Sequence, residues 1–203
     1  MAYDGPLETH WTLSEEVGDL DGLARALGLR ALRIELAAGV TPVQPMLTRR
    51  RQGSLASALA AAEGVSRALG QRGVAVRRVK IEAHPDNADV PQGLRDEGSV
   101  REGRYFEHHV KLSLTPGDSR VVAVASAHGA HLSRNALRVG QAGLEERFLT
   151  QRCRRLGRLA AQERLDALLA TLGELGLTVL GAEQEYVIYD SDEALDRGWM
   201  EGA

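Results

Sequence analysis

The feature of this sequence that most constrains its fold is an internal repeat. At an offset of roughly a hundred positions, three stretches recur in the same order. LETHWTL at 7–13 matches FEHHVKL at 106–112, MLTRR at 46–50 matches FLTQR at 148–152, and GVAVRRVKIE at 73–82 matches GLTVLGAEQE at 176–185. Because both order and spacing are kept, the chain is predicted to contain two copies of one structural unit.

The first copy contains alternating strand and helix signals. Residues 7–13 alternate apolar and polar side chains, as a half-buried strand does. The predicted elements are a strand at 7–13, a helix between the N-cap Asp19 and Gly28, hairpin strands at 31–36 and 44–50, a helix opened by Ser54, and a strand at 74–82. This order is β-α-β-β-α-β.

The second copy follows the same order. Its predicted elements are a strand at 105–114, a helix near 119–127, strands near 130–137 and at 147–153, a helix at 155–174 and a strand at 177–189. RVVAVAS, residues 120–126, has the β-branched composition of a strand, and only the repeat predicts a helix there. At the C-terminal end, Asp190 and Glu193 predict a capping box for a short helix that reaches Trp199.

The element order predicts an α+β protein of two tandem ferredoxin-like lobes, related by pseudo-twofold symmetry and derived from an internal duplication. In such a lobe the helices cover one sheet face and the other face stays open. The predicted segments are lobe 1–84, linker 85–103, lobe 104–190, and a tail at 191–203. The linker is rich in proline, glycine and charge.

Alternation of side chains along the strands assigns polar residues to the two open faces. Leu7, Trp11 and Leu13 should pack under the helices, which leaves Glu8, His10 and Thr12 on the open side. Five pairs of open-face residues agree in type between the copies: Glu8 with Glu107, His10 with His109, Thr48 with Thr150, Arg50 with Arg152, and Glu82 with Glu185. A solvated sheet face or a polar seam between lobes is one interpretation of this pattern.

Composition excludes several classes of protein. The single cysteine rules out an internal disulfide and favours a reducing, cytoplasmic compartment. The net charge of −3 and the lack of a long apolar stretch argue against membrane and nucleic-acid partners. An aromatic content of 4% makes sequence-specific RNA binding an unfavourable interpretation, because such sheets stack bases on aromatic rings. The arginine, alanine, leucine and glycine bias suggests a bacterial origin.

The first functional interpretation is phosphoester chemistry on a small anionic substrate. HWTL, residues 10–13, resembles the His-x-Thr/Ser motif of the two-histidine (2H) phosphoesterase superfamily, whose members are two-lobed. This resemblance implies that His10 is a catalytic acid or base and that Thr12 holds a phosphate. With the repeat, it predicts His10 and His109 as a proton-transfer pair in an inter-lobe cleft, acting on a phosphate-containing or nucleotide substrate. The second copy departs from the motif, because HVKL has Lys111 in place of the hydroxyl. The predicted substrate-binding residues are Thr12, Thr48, Thr150, Arg50, Arg152, Lys80 and Lys111.

The phosphoester interpretation requires no cofactor. The second interpretation is a site for a divalent metal ion. Carboxylates and imidazoles in these positions suit Mn²⁺, Fe²⁺ or Zn²⁺. Each copy offers one predicted trio, Glu8, His10 and Glu82 in the first and Glu107, His109 and Glu185 in the second. The third interpretation is a module without catalysis, which binds a ligand or forms a homodimer through a sheet face. His84, His108 and His131 are predicted to lie at the surface or under helices.

Overall fold

The computed structural model describes residues 1–93, 103–137 and 143–200. The first half comprises β1 (Gly5–Leu13), α1 (Leu20–Leu27), β2 (Arg30–Leu36), β3 (Val43–Gly53), α2 (Leu55–Gly70) and β4 (Val76–Ala83). The second comprises β5 (Tyr105–Leu114), α3 (Arg120–Ala127), β6 (Ala130–Asn135), β7 (Glu145–Arg154), α4 (Arg158–Glu174) and β8 (Thr178–Asp190). This is a mixed α+β fold. None of the helices in these three ranges is long and apolar enough to cross a membrane.

Local signals in the sequence account for several helix boundaries. The Asp19 carboxylate accepts a hydrogen bond from the Gly22 amide at 2.8 Å, and Gly28 ends α1 with a φ of 64°. Ser54 caps α2 in the same way. The valine-rich α3 is helical because Val121 and Val124 are buried against the core, and this burial outweighs their preference for strands.

The eight strands form one closed antiparallel barrel in the order β1-β3-β2-β6-β7-β5-β8-β4. The edge strands of the first half are β2 and β4, and those of the second half are β6 and β8. These edges pair across the halves: Ile34 lies opposite Asn135, and Ile81 lies opposite Tyr189. Pairing leaves no edge with unsatisfied backbone groups. The prediction that the two sheet faces stay open is therefore wrong, since both faces form the inner wall of one barrel.

The outer face of the barrel packs against the helices. Leu7, Trp11 and Leu13 of β1 are almost completely buried there, and the Trp11 indole donates to the Ala62 carbonyl of α2 at 3.2 Å. Successive side chains of a strand point to opposite faces. Burial of these three residues on the outside therefore directs Glu8, His10 and Thr12 to the inside, as predicted.

The segment predicted as a linker packs against the barrel where the structure describes it. The Asn87 amide donates to the Asp4 carbonyl at 2.9 Å, and Val90 is buried in the same apolar cluster as Tyr3 and Leu7. Residues 94–102 of the predicted linker lie outside the described residues. Residues 85–93 therefore contribute to the core.

The C-terminal segment departs from its prediction. Glu193–Asp196 form a single turn of 3₁₀ helix, and its N-cap makes no side-chain hydrogen bond. The capping box is wrong because Asp190 and Glu193 bind other partners, Arg78 and Arg154. After this turn, the Trp199 indole donates to the Leu132 carbonyl at 2.9 Å. The segment thereby covers one end of the barrel.

Candidate functional site in the barrel interior

The barrel encloses a cavity of about 490 Å³, within the usual range for small-molecule sites. An eight-stranded barrel is just wide enough to hold one small ligand. Of the predicted site residues, all but one line this cavity: Glu8, His10, Thr12, Thr48, Arg50, Lys80, Glu107, His109, Lys111, Thr150, Arg152 and Glu185. The remaining one, Glu82, is 2% exposed and contacts His10 and Lys80, which line the cavity. Barrel closure thus brings the polar faces of both halves together.

A carboxylate and imidazole cluster crosses the seam between the halves. One ligand atom from each of Glu82, His109 and Glu185 lies within 4.8 Å of the other two. The sequence predicted two separate trios, one in each half. Contacts within both trios are present, since His10 lies 2.7 Å from Glu82 and His109 lies 3.4 Å from Glu107. Pairing of β4 with β8 also places Glu82 of the first half beside Glu185 of the second, so the compact cluster combines residues of both trios. Glu8 and Glu107 bind arginines, Arg50 and Arg152.

The two carboxyl groups of this cluster have opposite pKa shifts. Burial and the charge of Glu82 raise the pKa of Glu185 well above its usual value. Burial alone would raise the pKa of Glu82 too, but Lys80 and His10 outweigh it and hold the pKa of Glu82 below its usual range. The opposite shifts arise because ionisation of one carboxyl group disfavours ionisation of its neighbour.

The interior cations are paired with carboxylates. Lys80 lies 2.7 Å from Glu82 and also contacts Glu107. Arg152 donates to Glu107 at 2.6 Å. The other predicted anion-binding cations are also paired, Arg50 with Glu8 and Lys111 with Glu146. An incoming anion would therefore compete with existing ion pairs.

The two predicted catalytic imidazoles face the same cavity. His10 Nε2 is 2.7 Å from a carboxylate oxygen of Glu82, which belongs to the cluster that contains His109. His10 Nδ1 is buried and has no hydrogen-bond partner among the described residues. His109 Nδ1 is 3.2 Å from the Thr150 hydroxyl, and its Nε2 is 3.6 Å from Glu185. Glu82 thus lies between the two rings.

Two of the three hydroxyl groups predicted to contact substrate are hydrogen-bonded to other side chains of the protein. The Thr48 hydroxyl donates to Glu8 at 2.6 Å, and Thr150 is bonded to His109. Thr12 is buried and lines the cavity, with Met46 and Arg78 opposite it on the neighbouring strands. The hydroxyls of Thr48 and Thr150 therefore orient a carboxylate and an imidazole of the site.

Sequence reasoning missed a group of residues at the covered end of the barrel. Arg78 Nη1 donates to Asp196 at 2.8 Å, and Arg152 binds the same carboxylate oxygen. Asp196 also accepts from Gln44 at 3.0 Å. Arg78 alternates with Lys80 and Glu82 along β4, which favours the polar face, but no sequence pattern indicates that Asp196 folds back onto it. His131 also departs from its prediction, because its ring lies 5.8 Å from that of Trp199 at this end.

Replacing Asp196 with asparagine should lower the free energy of unfolding by about 2–3 kcal/mol at neutral pH. Burial would raise the pKa of Asp196, but Arg78 and Arg152 outweigh it and hold that pKa below its usual value. A carboxyl group whose pKa is lower in the folded state than in the unfolded state stabilises the fold at pH values above its unfolded-state pKa. This stabilisation is lost as the pH falls through the folded-state pKa. The deficit of Asp196→Asn should therefore shrink in acid, as measured by urea unfolding between pH 7 and pH 3.

Asp86→Asn is the matched control, since the side chain of Asp86 is 64% exposed. It should change stability by well under about 1 kcal/mol at every pH. An Asp196→Asn deficit that stayed constant down to pH 3 would show that the carboxylate charge is not what binds the tail.

Comparisons with known proteins do not identify the chain. No family model matches it, and no curated protein matches it either. The small subunit of acetolactate synthase from Thermotoga maritima has 10% identity over 91% of this chain and 95% of its own, at a TM-score of 0.30. A chlorite dismutase from Candidatus Nitrospira defluvii has 12% identity over 95% of this chain and 93% of its own, at a TM-score of 0.29. A monooxygenase structure from Fusobacterium nucleatum has 7% identity over 91% of this chain and 92% of its own, at a TM-score of 0.29.

Proposed function

We propose that the barrel interior is the active site of a phosphoesterase that acts on a small phosphate-containing substrate with the help of a divalent metal ion. The observation that supports this best is the compact cluster of Glu82, His109 and Glu185 beside a cavity whose lining includes Lys80, Arg50 and Arg152. Two carboxylates and an imidazole are a donor set suited to Mn²⁺ or Zn²⁺. A bound ion would supply a Lewis acid for a phosphoryl oxygen.

The surroundings of the cluster support an anionic substrate. A divalent ion at Glu82 and Glu185 would compete with Lys80 for Glu82, because Lys80 lies 2.7 Å from it. Lys80 would then keep Glu107 as its one carboxylate partner and could also contact a phosphate oxygen. Arg50 is 65% exposed although it is paired with Glu8, so it can turn toward a ligand at little cost.

His10 is suited to proton transfer in this proposal. Its Nε2 is held by Glu82, which fixes the orientation of the ring. Its Nδ1 is buried and has no hydrogen-bond partner among the described residues, and we assign it the proton transfer with a nucleophile or a leaving oxygen that enters the site. His109 serves as a metal ligand, with Thr150 holding its other ring nitrogen.

Metal binding is the first test of the proposal. Mn²⁺ or Zn²⁺ should raise the melting temperature of the protein, because an ion that binds only the folded state stabilises it. Glu185→Gln should abolish this rise. Glu183→Gln is the matched control, since Glu183 lines the cavity but is not in the cluster. An equal rise in wild type and in Glu185→Gln would place the ion elsewhere and overturn the assignment.

Turnover is the second test. The metal-loaded protein should release product from at least one member of a panel made of p-nitrophenyl phosphate, bis(p-nitrophenyl) phosphate, a 2′,3′-cyclic nucleotide and a nucleoside triphosphate. A chelator should abolish that release. Tight binding of these compounds with no product at all would support the alternative of a module that binds without catalysis.

A metal-free two-histidine phosphoesterase is the second candidate. The observation in its favour is that His10 and His109 line one cavity, with Glu82 between them. This candidate predicts turnover that survives a chelator and a bell-shaped pH profile from two imidazoles. The chelator experiment therefore separates the two candidates.

We also propose that the two halves arose by internal duplication and that the protein works in the cytoplasm. Both halves have the element order β-α-β-β-α-β, and the sheet order of each places its first strand between its third and fourth. Glu8 and His10 of β1 correspond in position to Glu107 and His109 of β5. The only cysteine, Cys153, is buried as a free thiol, in keeping with a reducing compartment.

A further inference from the structure

One wall of the cavity is apolar, in contrast to the charged cluster. Leu32, Ile34 and Leu36 occupy alternate positions on the inner face of β2. Met46 of the neighbouring β3 extends this wall on one side, and Phe148 of β7 lies on the other side beyond β6, which contributes Ser133 and Asn135 to the lining. This wall consequently offers five large carbon side chains to whatever fills the cavity.

The closed strand order places this wall across the barrel from the proposed metal site. Counting four positions around the eight strands, β2 lies opposite β8, and β6 lies opposite β4. The strands that carry Glu185 and Glu82 therefore face β2 and β6. Leu32, Ile34 and Leu36 therefore lie across the cavity from Glu82 and Glu185, although Arg30 of β2 also lines the cavity.

The apolar wall is not needed to pack the barrel. Leu32, Ile34, Met46 and Phe148 are only partly buried, whereas the outward-facing Trp11 and Leu47 are almost completely buried under α2. Partly buried carbon side chains around a cavity, beside a few convergent polar groups, are what small-molecule sites typically present. A bound carbon group would remove this surface from water at a gain of about 25 cal/mol for each Å².

We propose that the substrate is an organic phosphate whose apolar group, aryl or aliphatic, lies on the β2 wall while its phosphate lies at the Glu82, His109 and Glu185 cluster. This inference rests on the proposed function and adds a substrate class to it. A cavity of about 490 Å³ admits one such small molecule with both parts bound at once. A purely inorganic phosphate would leave the apolar wall uncovered.

Two phosphonates that the protein cannot hydrolyse provide the test. In the Mn²⁺-loaded protein, phenylphosphonate should bind about tenfold or more tightly than methylphosphonate, as measured by calorimetry, because its ring covers apolar surface. Ile34→Gln should reduce this ratio to about threefold or less by weakening phenylphosphonate alone. Met46→Gln should act in the same direction and gives an independent probe of the wall.

Arg33→Gln is the control, because Arg33 alternates with Ile34 and lies on the outer face of β2. It should leave both affinities unchanged. Equal affinity of wild type for the two phosphonates would overturn the apolar subsite and leave the phosphoesterase proposal intact. Failure of both phosphonates to bind the Mn²⁺-loaded protein would overturn the proposed function, and this inference with it.

Discussion

Replacing Lys80 with methionine should lower the free energy of unfolding by about 3–5 kcal/mol. Lys80 is almost completely enclosed and bridges Glu82 and Glu107, whose side chains are 2% and 1% exposed. Burial alone would lower the pKa of Lys80, but Glu107 and Glu82 raise it above its usual value, so the ammonium stays charged. Methionine has a similar shape and no charge, and it would leave two buried carboxylates facing each other. Chemical denaturation at neutral pH measures the loss.

A double variant tests the cause of this loss. Lys80→Met with Glu107→Gln removes one of the two charges that lysine compensates, so it should recover part of the stability. Arg50→Met is the control, since this exposed pair with Glu8 should contribute no more than about 1 kcal/mol. A Lys80→Met protein as stable as wild type would mean that water, and not lysine, balances the carboxylates.

Replacing His10 with alanine should lower kcat/KM by about 10²–10⁴-fold at saturating Mn²⁺, as expected when a proton-transfer group is removed. His10 contacts no atom of the proposed metal site except the Glu82 carboxylate. The protein should therefore still gain stability from Mn²⁺. Added imidazole should restore part of the activity, which a merely structural defect would not allow. Steady-state kinetics with and without imidazole measure both effects.

His109→Ala should behave differently, because it removes a proposed ligand from the Glu82 and Glu185 cluster. Its melting temperature should no longer rise with Mn²⁺, and imidazole should not restore turnover at low metal concentration. His84→Ala is the control, since His84 is 57% exposed. Suppose that the melting temperatures of His10→Ala and His109→Ala both still rose with Mn²⁺, while one variant lost the acidic limb of the pH–activity profile and the other lost the basic limb. The metal-free two-histidine candidate would then replace the metal candidate.

The interior ion pairs explain how a barrel can keep so many charges. Glu107 forms ion pairs with Arg152 and Lys80. Burial alone would raise the pKa of Glu107, but these two cations outweigh that effect and hold the pKa well below its usual value. Each buried charge thus has an opposite charge within contact distance, which limits the cost of removing it from water. This arrangement also gives the site its preformed geometry.

Several elements were predictable because their signals are local. The strand predicted at 105–114 is β5, Tyr105–Leu114, and the caps Asp19 and Ser54 act as predicted. The helix α3 was predictable only from the repeat, because its valines favour a strand on their own. The C-terminal turn was mispredicted because Asp190 binds the distant Arg78 and the amide of Asp192, and Glu193 binds Arg154, so the two do not form a capping box.

The sequence by itself determined which side chains share a face of each strand, because alternation follows from backbone geometry alone. It therefore predicted that Glu8, His10, Glu107 and His109 would face the same way as their polar neighbours. Only the tertiary structure decided which faces meet. Pairing of β4 with β8 and of β2 with β6 closed the sheet and joined Glu82 to His109 and Glu185. Such pairings depend on contacts between residues about a hundred positions apart, which no local pattern encodes.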